Sequence, residues 1–226
     1  MSDLRIGIKR ASFRANDAGA GKADAVFAAV RDGALGNARY RCEHCGLESV
    51  PSAAAKGKRS SLQVHHEDDD HANNAPSNLK AVCSLDHAVH HIGCDAPSPG
   101  GSLGWASQMR IAYLPELTPA DVNLWQRAMG AAMMDPEHAE ASQEMCRVLS
   151  VLCKPVMDIY GTHHSKDFAA AMAAMTDDEY ADRDVGDLRV LFHPEILKSA
   201  GAEMLADNPV MGVRAWKVIA NGTGQA

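Results

Sequence analysis

The chain predicts an α+β fold: a small metal-bearing ββα unit packed on a mainly helical C-terminal part. Three observations predict it. Cysteine and histidine gather between residues 42 and 94 at metal-ligand spacing. Two short β-like runs, residues 62–66 and 77–83, flank a polar connection and lead into a helical pattern. Beyond residue 104, apolar residues recur at helical spacing. At 226 residues, with 46% apolar and 23% charged content, the chain can bury a core without staples.

The elements follow in order. Residues 1–37 read as an N-terminal arm and a helix. The arm carries one short strand at residues 4–8. The helix spans 23–34, with Val26, Phe27, Val30 and Leu35 forming its apolar face. Residues 38–96 make the metal unit. In it "RYRCEHCG" is a short strand entering a tight turn that Gly46 closes, and "SAAAKGKRSS" is a polar loop. "LQVHH" alternates as a strand does, "SNLKAVC" is its partner, and "SLDHAVHHIG" is a helix ending at Gly93. Residues 97–104 hold two Pro and three Gly and read as a linker. Residues 105–226 form the helical part, opened by the strand-like "MRIAYLPEL".

Thr118 N-caps the next helix, with Pro119 at its first position. Its inward residues are Val122, Leu124, Trp125, Met129, Met133 and Met134. A second helix spans about 136–152, with Met145, Val148, Leu149 and Leu152 inward. Further helices cover 168–175 and 177–191, and after "HPEIL" the chain is less regular. The methionines read as core filler rather than as a binding surface.

Composition excludes several classes. No apolar run is long enough for a transmembrane helix. The first residues lack an apolar signal region, so a cytoplasmic chain is expected and its cysteines point to metal rather than disulfides. Cys146 and Cys153 read as buried thiols on one helix face. The net charge is −7, but residues 1–60 carry eleven Lys+Arg against six Asp+Glu, and the remainder eleven against twenty-three. That balance argues against tight nucleic-acid binding by the whole chain. No repeat, phosphate loop or dinucleotide fingerprint is present.

Cys42 and Cys45 stand two residues apart, so that one turn offers two thiolates to a tetrahedral ion. Cys83 is the third soft ligand. Asp86 stands where a fourth falls, with His87, His90 and Cys94 as competitors. The set points to a structural Zn2+. The acidic run Glu67, Asp68, Asp69 and Asp70 reads as a solvated loop, and His71, His90 and His91 as surface or helix residues.

His65, His66, Asn78 and His87, in that order, resemble the HNH (ββα-metal) nuclease motif. The resemblance implies that His65 and His87 bind a divalent ion such as Mg2+ or Mn2+. It makes His66 the general base and Asn78 the brace that orients it. Asp86 replaces the fourth Cys that this family usually has. Phosphodiester hydrolysis suits these residue types, because His supplies a base of near-neutral pKa and the ion takes the leaving oxygen's charge.

Beyond that motif, "IAYLPELTPADVNLWQRAMGAAM", "RVLSVLCKPVMDIYGTHHSKDFAAAM" and "DLRVLFHP" resemble the IcmJ/DotN family of type IVB (Dot/Icm and conjugative) secretion systems. The likeness covers roughly residues 35 to 195. It implies a zinc-bearing HNH-like adaptor at the cytoplasmic face of the inner membrane. Its partners would be the C-terminal tail of the coupling ATPase and other proteins of the coupling complex. The intact His set implies the alternative: a metal-dependent endonuclease that nicks or cuts DNA.

Overall fold

A computed structural model describes residues 4–9, 20–51, 60–68, 70, 73–93 and 108–207. The expectations for the rest of the arm, the polar loop, Asp69, His71, Cys94, the 97–104 linker and residues 208–226 lie outside the described residues. Within them the chain is mixed α and β, with two small antiparallel sheets among helices. No described helix is long and apolar enough to cross a membrane.

Residues 4–8 are not a strand. Leu4, Ile6 and Ile8 are buried, but the segment has no sheet partner among the described residues. It docks instead on the end of a helix, where Gly7 N donates to Val89 O (3.0 Å) and Ile92 N donates to Gly7 O (2.9 Å). Alternating apolar residues mark an extended segment with one covered face, and they do not name what covers it.

Helix α1 (Ala20–Asn37) is longer than the sequence pattern indicated. Leu35 is buried, whereas Val26 is exposed. The chain leaves α1 through Arg39 and Tyr40, both at positive φ, and Tyr40 N bonds back to Leu35 O. Non-glycine residues rarely adopt this conformation, and here it aims the chain into the cysteine turn.

Strands β1 (Gln63–His66) and β2 (Leu79–Val82) pair antiparallel, with His65 opposite Lys80 and His66 opposite Leu79. Helix α2 (Ser84–His90) follows directly from β2. Gly93, at φ 82°, turns the chain away. A Cβ there would stand 2.3 Å from that of Ala169.

The second sheet pairs β3 (Met109–Tyr113) with β4 (Leu188–Phe192). The sequence reading placed residues 188–191 at the end of a helix. That helix, α7 (Asp177–Ala181), stops five residues after it starts, closed at its N-terminus by a Thr176–Glu179 capping box. "LRVLF" is buried at every position and forms a strand because β3 lies alongside it. A short apolar run takes its state from such a partner.

Between the strands run α3 (Pro119–Ala132), α4 (Ala139–Ser150), a 3-10 turn (Val151–Cys153), α5 (Lys154–Tyr160) and α6 (Ser165–Ala174). Thr118 caps α3 as expected, accepting from Asp121 N. The tail is more regular than the sequence indicated. Helix α8 (Pro194–Asp207) buries Ile196, Leu197, Ala200, Gly201 and Met204 on one stripe.

The inward faces also differ. Leu124 and Trp125 of α3 and Met134 just after it are exposed, as are Met145 and Val148 of α4. The buried stripe of α3 is polar in part: Asn123, Gln126 and Arg127. Gln126 donates to Val190 O (2.9 Å) and accepts from Phe192 N (2.8 Å). Its amide thus satisfies the open edge of β4 as a neighbouring strand would. Arg127 donates to Ala200 O (2.7 Å) and to Ser84 Oγ (3.2 Å), and so joins α2, α3 and α8.

α3 and α8 cross at two glycines. A Cβ on Gly130 would sit 1.8 Å from Leu197 O, and one on Gly201 would sit 2.2 Å from Ala131 N. Gly130→Ala is therefore expected to lower stability by about 3 kcal/mol. Gly33→Ala in α1 meets nothing within 4 Å. It should stabilise by about 0.5–1 kcal/mol. Urea denaturation of both variants measures this, and equal effects would refute the close crossing.

Candidate metal centres

Two groups of side chains converge in the N-terminal half, and each can hold a metal ion: Cys42, Cys45, Cys83 and Asp86, and His65, His87 and His91. Within each group the candidate ligand atoms lie within 4.8 Å of one another.

The first group is built by a turn and a helix start. Cys42 N donates to Leu47 O and Gly46 N to Cys42 O, with Gly46 at φ 75°. This fold turns both sulfurs inward. The turn is pinned to β2 at both ends of one exchange: Glu43 N donates to Ala81 O, and Ala81 N donates to Glu43 Oε1 (each 2.9 Å). Cys83 then precedes α2, and Asp86 sits in its first turn. Cys45 Sγ lies 3.8 Å from Cys83 Sγ. Two thiolates sharing a tetrahedral ion at about 2.3 Å each would be separated by about that distance.

Asp86 is fully buried. Its Oδ2 is 3.0 Å from Cys42 Sγ, and its Oδ1 accepts from Asn123 Nδ2 at 2.7 Å. The amide fixes one oxygen and turns the other to the sulfurs, as outer partners of metal ligands do. Burial, then the neighbouring Cys83, push the Asp86 carboxyl up to about 7. Burial alone would raise the Cys83 thiol. Hydrogen bonds from Cys42 and Cys45, with the Arg127 guanidinium, hold it well below its ordinary value. Hydrogen bonding to Cys42 and Cys83, then burial, raise Cys45. Without an ion the pocket therefore keeps Cys45 protonated and Cys83 as the favoured thiolate; ionising the whole set needs a cation to balance it. Arg127, at 1% side-chain exposure, supplies a further positive charge.

The second group is built from β1 and α2. His65 and His91 are buried, and His87 is partly so. His87 and His91 stand four residues apart, and their rings meet edge-on at 4.8 Å. Both are near His65, at 5.5 and 5.0 Å between ring centroids. His87 Nδ1 is hydrogen-bonded to Gln63 Oε1, which can only accept. That fixes the tautomer and leaves Nε2 as the ligand nitrogen.

His66 faces away from this trio, as period-2 alternation requires. Its ring packs on Phe27 of α1 (5.2 Å), and Nε2 lies 3.2 Å from Asn74 Oδ1. Asn78 does brace the connection after β1: its Oδ1 accepts from Asp68 N (3.0 Å), and its Nδ2 donates to Asp68 Oδ1 (2.7 Å). The amide beside His66, however, belongs to Asn74. Asp68 also accepts from Asn73 Nδ2 and from Asp70 N, so it organises the loop.

His90 is a helix residue, as expected, half-buried at the end of α2, whereas His91 at its C-cap is buried. His91 is a member of the second group. His90 stacks on His65 at 4.2 Å, and its Nε2 lies 2.9 Å from that of buried His44, one of the two residues between Cys42 and Cys45. The two centres are thus joined by a chain of imidazoles. The i, i+4 spacing of His87 and His91 could have pointed to the third ligand. No sequence signal marks His44 or Asn123.

Burial first, and neighbouring rings next, hold His65 below the ordinary imidazole range and bring His90 down to about 3. The unfolded chain takes up these protons near pH 6.5. Stability contributed here is complete above that value and is lost as pH falls through it, because the unfolded state binds more protons. Proton competition for bound metal acts in the same direction. Urea denaturation should show a loss of about 2 kcal/mol for each of the two rings between pH 7.5 and pH 5. A flat profile would mean that these rings titrate as in water.

No family model matches the chain, and no curated protein matches it.

Proposed function

We propose that the chain is a zinc-bearing, HNH-fold adaptor of a type IVB or conjugative coupling complex, docked on the C-terminal tail of the coupling ATPase. One observation carries it. Val148, Val151, Met157, Ile159 and Tyr160 follow one another along α4, the 3-10 turn and α5, each at least 40% exposed. A partner helix or an extended tail would cover such a face. Three thiols and a carboxylate suit Zn2+ over harder ions, and a site with four protein ligands is structural. In this reading the zinc unit holds α3, through Asn123 and Arg127, and so braces the helical part that meets the partner. The acidic balance of the chain favours a protein partner over DNA. Partners would keep the protein at the cytoplasmic face of the inner membrane.

The test is co-elution of the zinc-loaded chain with the ATPase tail of its own system. Val151→Asp with Ile159→Asp should abolish co-elution at unchanged Tm. Failure of the unaltered chain to bind the tail overturns the adaptor.

A second reading, a metal-dependent HNH endonuclease, is favoured by the convergence of His65, His87 and His91, with His66 next to His65 in the strand. A three-histidine site leaves coordination positions for water and phosphate. A divalent ion such as Mg2+ or Mn2+ there would take charge that develops on the leaving oxygen. Asn74 Oδ1 can only accept, so it keeps a His66 proton on Nε2; in this reading His66 is the general base.

A further inference from the structure

The helical part contains a cleft of about 440 Å³ to which no residue of either metal group contributes. Its floor is apolar: Cys146, Cys153, Leu191, Phe192 and Pro194. Cys153, Leu191 and Phe192 are buried. Burial, against the opposing pull of Arg110, pushes the Cys153 thiol up to about 11, so the floor carries no charge at neutral pH. The rim is cationic. Arg110 reaches it from β3, Arg147 from α4 and Lys198 from α8.

One carboxylate, Glu195, lines the cleft, and Lys198 holds it at 2.8 Å. Arg147 is paired outward with Glu144 on its own helix, and both side chains are more than half exposed. Such a surface pair contributes about 0–1 kcal/mol, so an incoming anion can displace it. The rim is thus positive in a chain whose net charge is −7. Gln108 and Gln143 add amides that can hydrogen-bond a ligand.

The volume lies within the range of small-molecule sites, in which an apolar body is buried and a few polar groups fix its orientation. The guanidinium fork matches a carboxylate in two parallel bonds, and Lys198 offers a point charge beside it.

We propose that this cleft binds a carboxylate carried on an apolar chain. The carboxylate lies between Arg110 and Arg147, and the chain lies over Cys153, Leu191 and Phe192. Two sources share this chemistry: a free medium-chain acid and the C-terminus of a peptide that ends in apolar residues.

The test is calorimetric titration of the zinc-loaded full chain with octanoate, octanamide and N-acetyl-leucyl-phenylalanine. Octanoate or the peptide should bind with a dissociation constant of about 0.1–1 mM. Octanamide should bind about tenfold or more weakly, because it lacks the charge. Arg147→Ala removes an exposed side chain, so the fold survives, and it should weaken octanoate about tenfold. Cys146→Trp should fill the cleft and abolish binding. A tighter peptide assigns the site to a protein C-terminus, and tighter octanoate assigns it to a free acid. Equal affinity for octanoate and octanamide overturns carboxylate recognition. No binding at about 5 mM, or full affinity in both variants, overturns the site itself.

Discussion

Cys83→Ser is expected to abolish metal binding by Cys42, Cys45, Cys83 and Asp86, the group that could hold an ion, and to unfold the N-terminal half. Cys83 lies at the centre of the group. Its backbone N–H donates to Cys42 Sγ at 3.3 Å, and its sulfur faces Cys45. Apolar side chains such as Leu62, Val82 and Leu85 are buried around it, but the backbone elements that carry them are short. The turn from 41 to 48 has one isolated bridge, and the hairpin has two four-residue strands. A structural zinc contributes about 10–16 kcal/mol in small folds, which far exceeds what such short elements supply. Serine offers no thiolate and leaves a buried, partly charged pocket beside Arg127, whose positive charge then has fewer partners.

We expect bound zinc to fall from about one per chain to near zero, and Tm to fall by about 15 °C or more. Metal analysis and thermal denaturation measure the two. Asp86→Cys is the converse. It supplies the fourth thiolate, should hold zinc at least as tightly, and forfeits only the Asn123 hydrogen bond. A Cys83→Ser protein that keeps both its zinc and its Tm would show that the group is not a metal centre.

Local signals were legible where local chemistry decides. The CxxC turn, the β-like "LQVHH" and the Thr118–Pro119 helix start appear where the spacing places them, while the helix expected to run to Gly93 stops at His90. Non-local chemistry was not legible. "LRVLF" becomes a strand because β3 is there to pair with it. Hydropathy put Leu124 and Trp125 of α3 inside, whereas the fold buries Asn123, Gln126 and Arg127. Each of these three is used by a group far away in sequence: Asp86, the edge of β4, and the Ala200 carbonyl. No periodicity reveals a buried polar stripe whose partners lie on other elements. The histidines followed the same division. His65 and His87 lie in a recognisable order, whereas His44 and His90 meet only because the cysteine turn folds against α2.

His66→Ala and His87→Ala are expected to separate the two readings of the histidine centre, because the two side chains sit on opposite faces of the site. His87 belongs to the ligand trio, and Gln63 holds its ring. His66 lies outside the trio, between Phe27 and Asn74. If the centre hydrolyses phosphodiesters, supercoiled-plasmid nicking with Mg2+ or Mn2+ should fall about 10²–10⁴-fold in His66→Ala while the divalent ion still binds. His87→Ala should lose both nicking and the ion. Any metal taken up by the Cys group should be unchanged in both, since neither ring belongs to that group. If the centre only supports the fold, nicking is at background in all three proteins. His87→Ala then differs from His66→Ala in Tm alone, and binding of the ATPase tail persists in every case. Dividing the results by ligand and base, rather than by activity alone, keeps a misfolded variant from being mistaken for a dead enzyme.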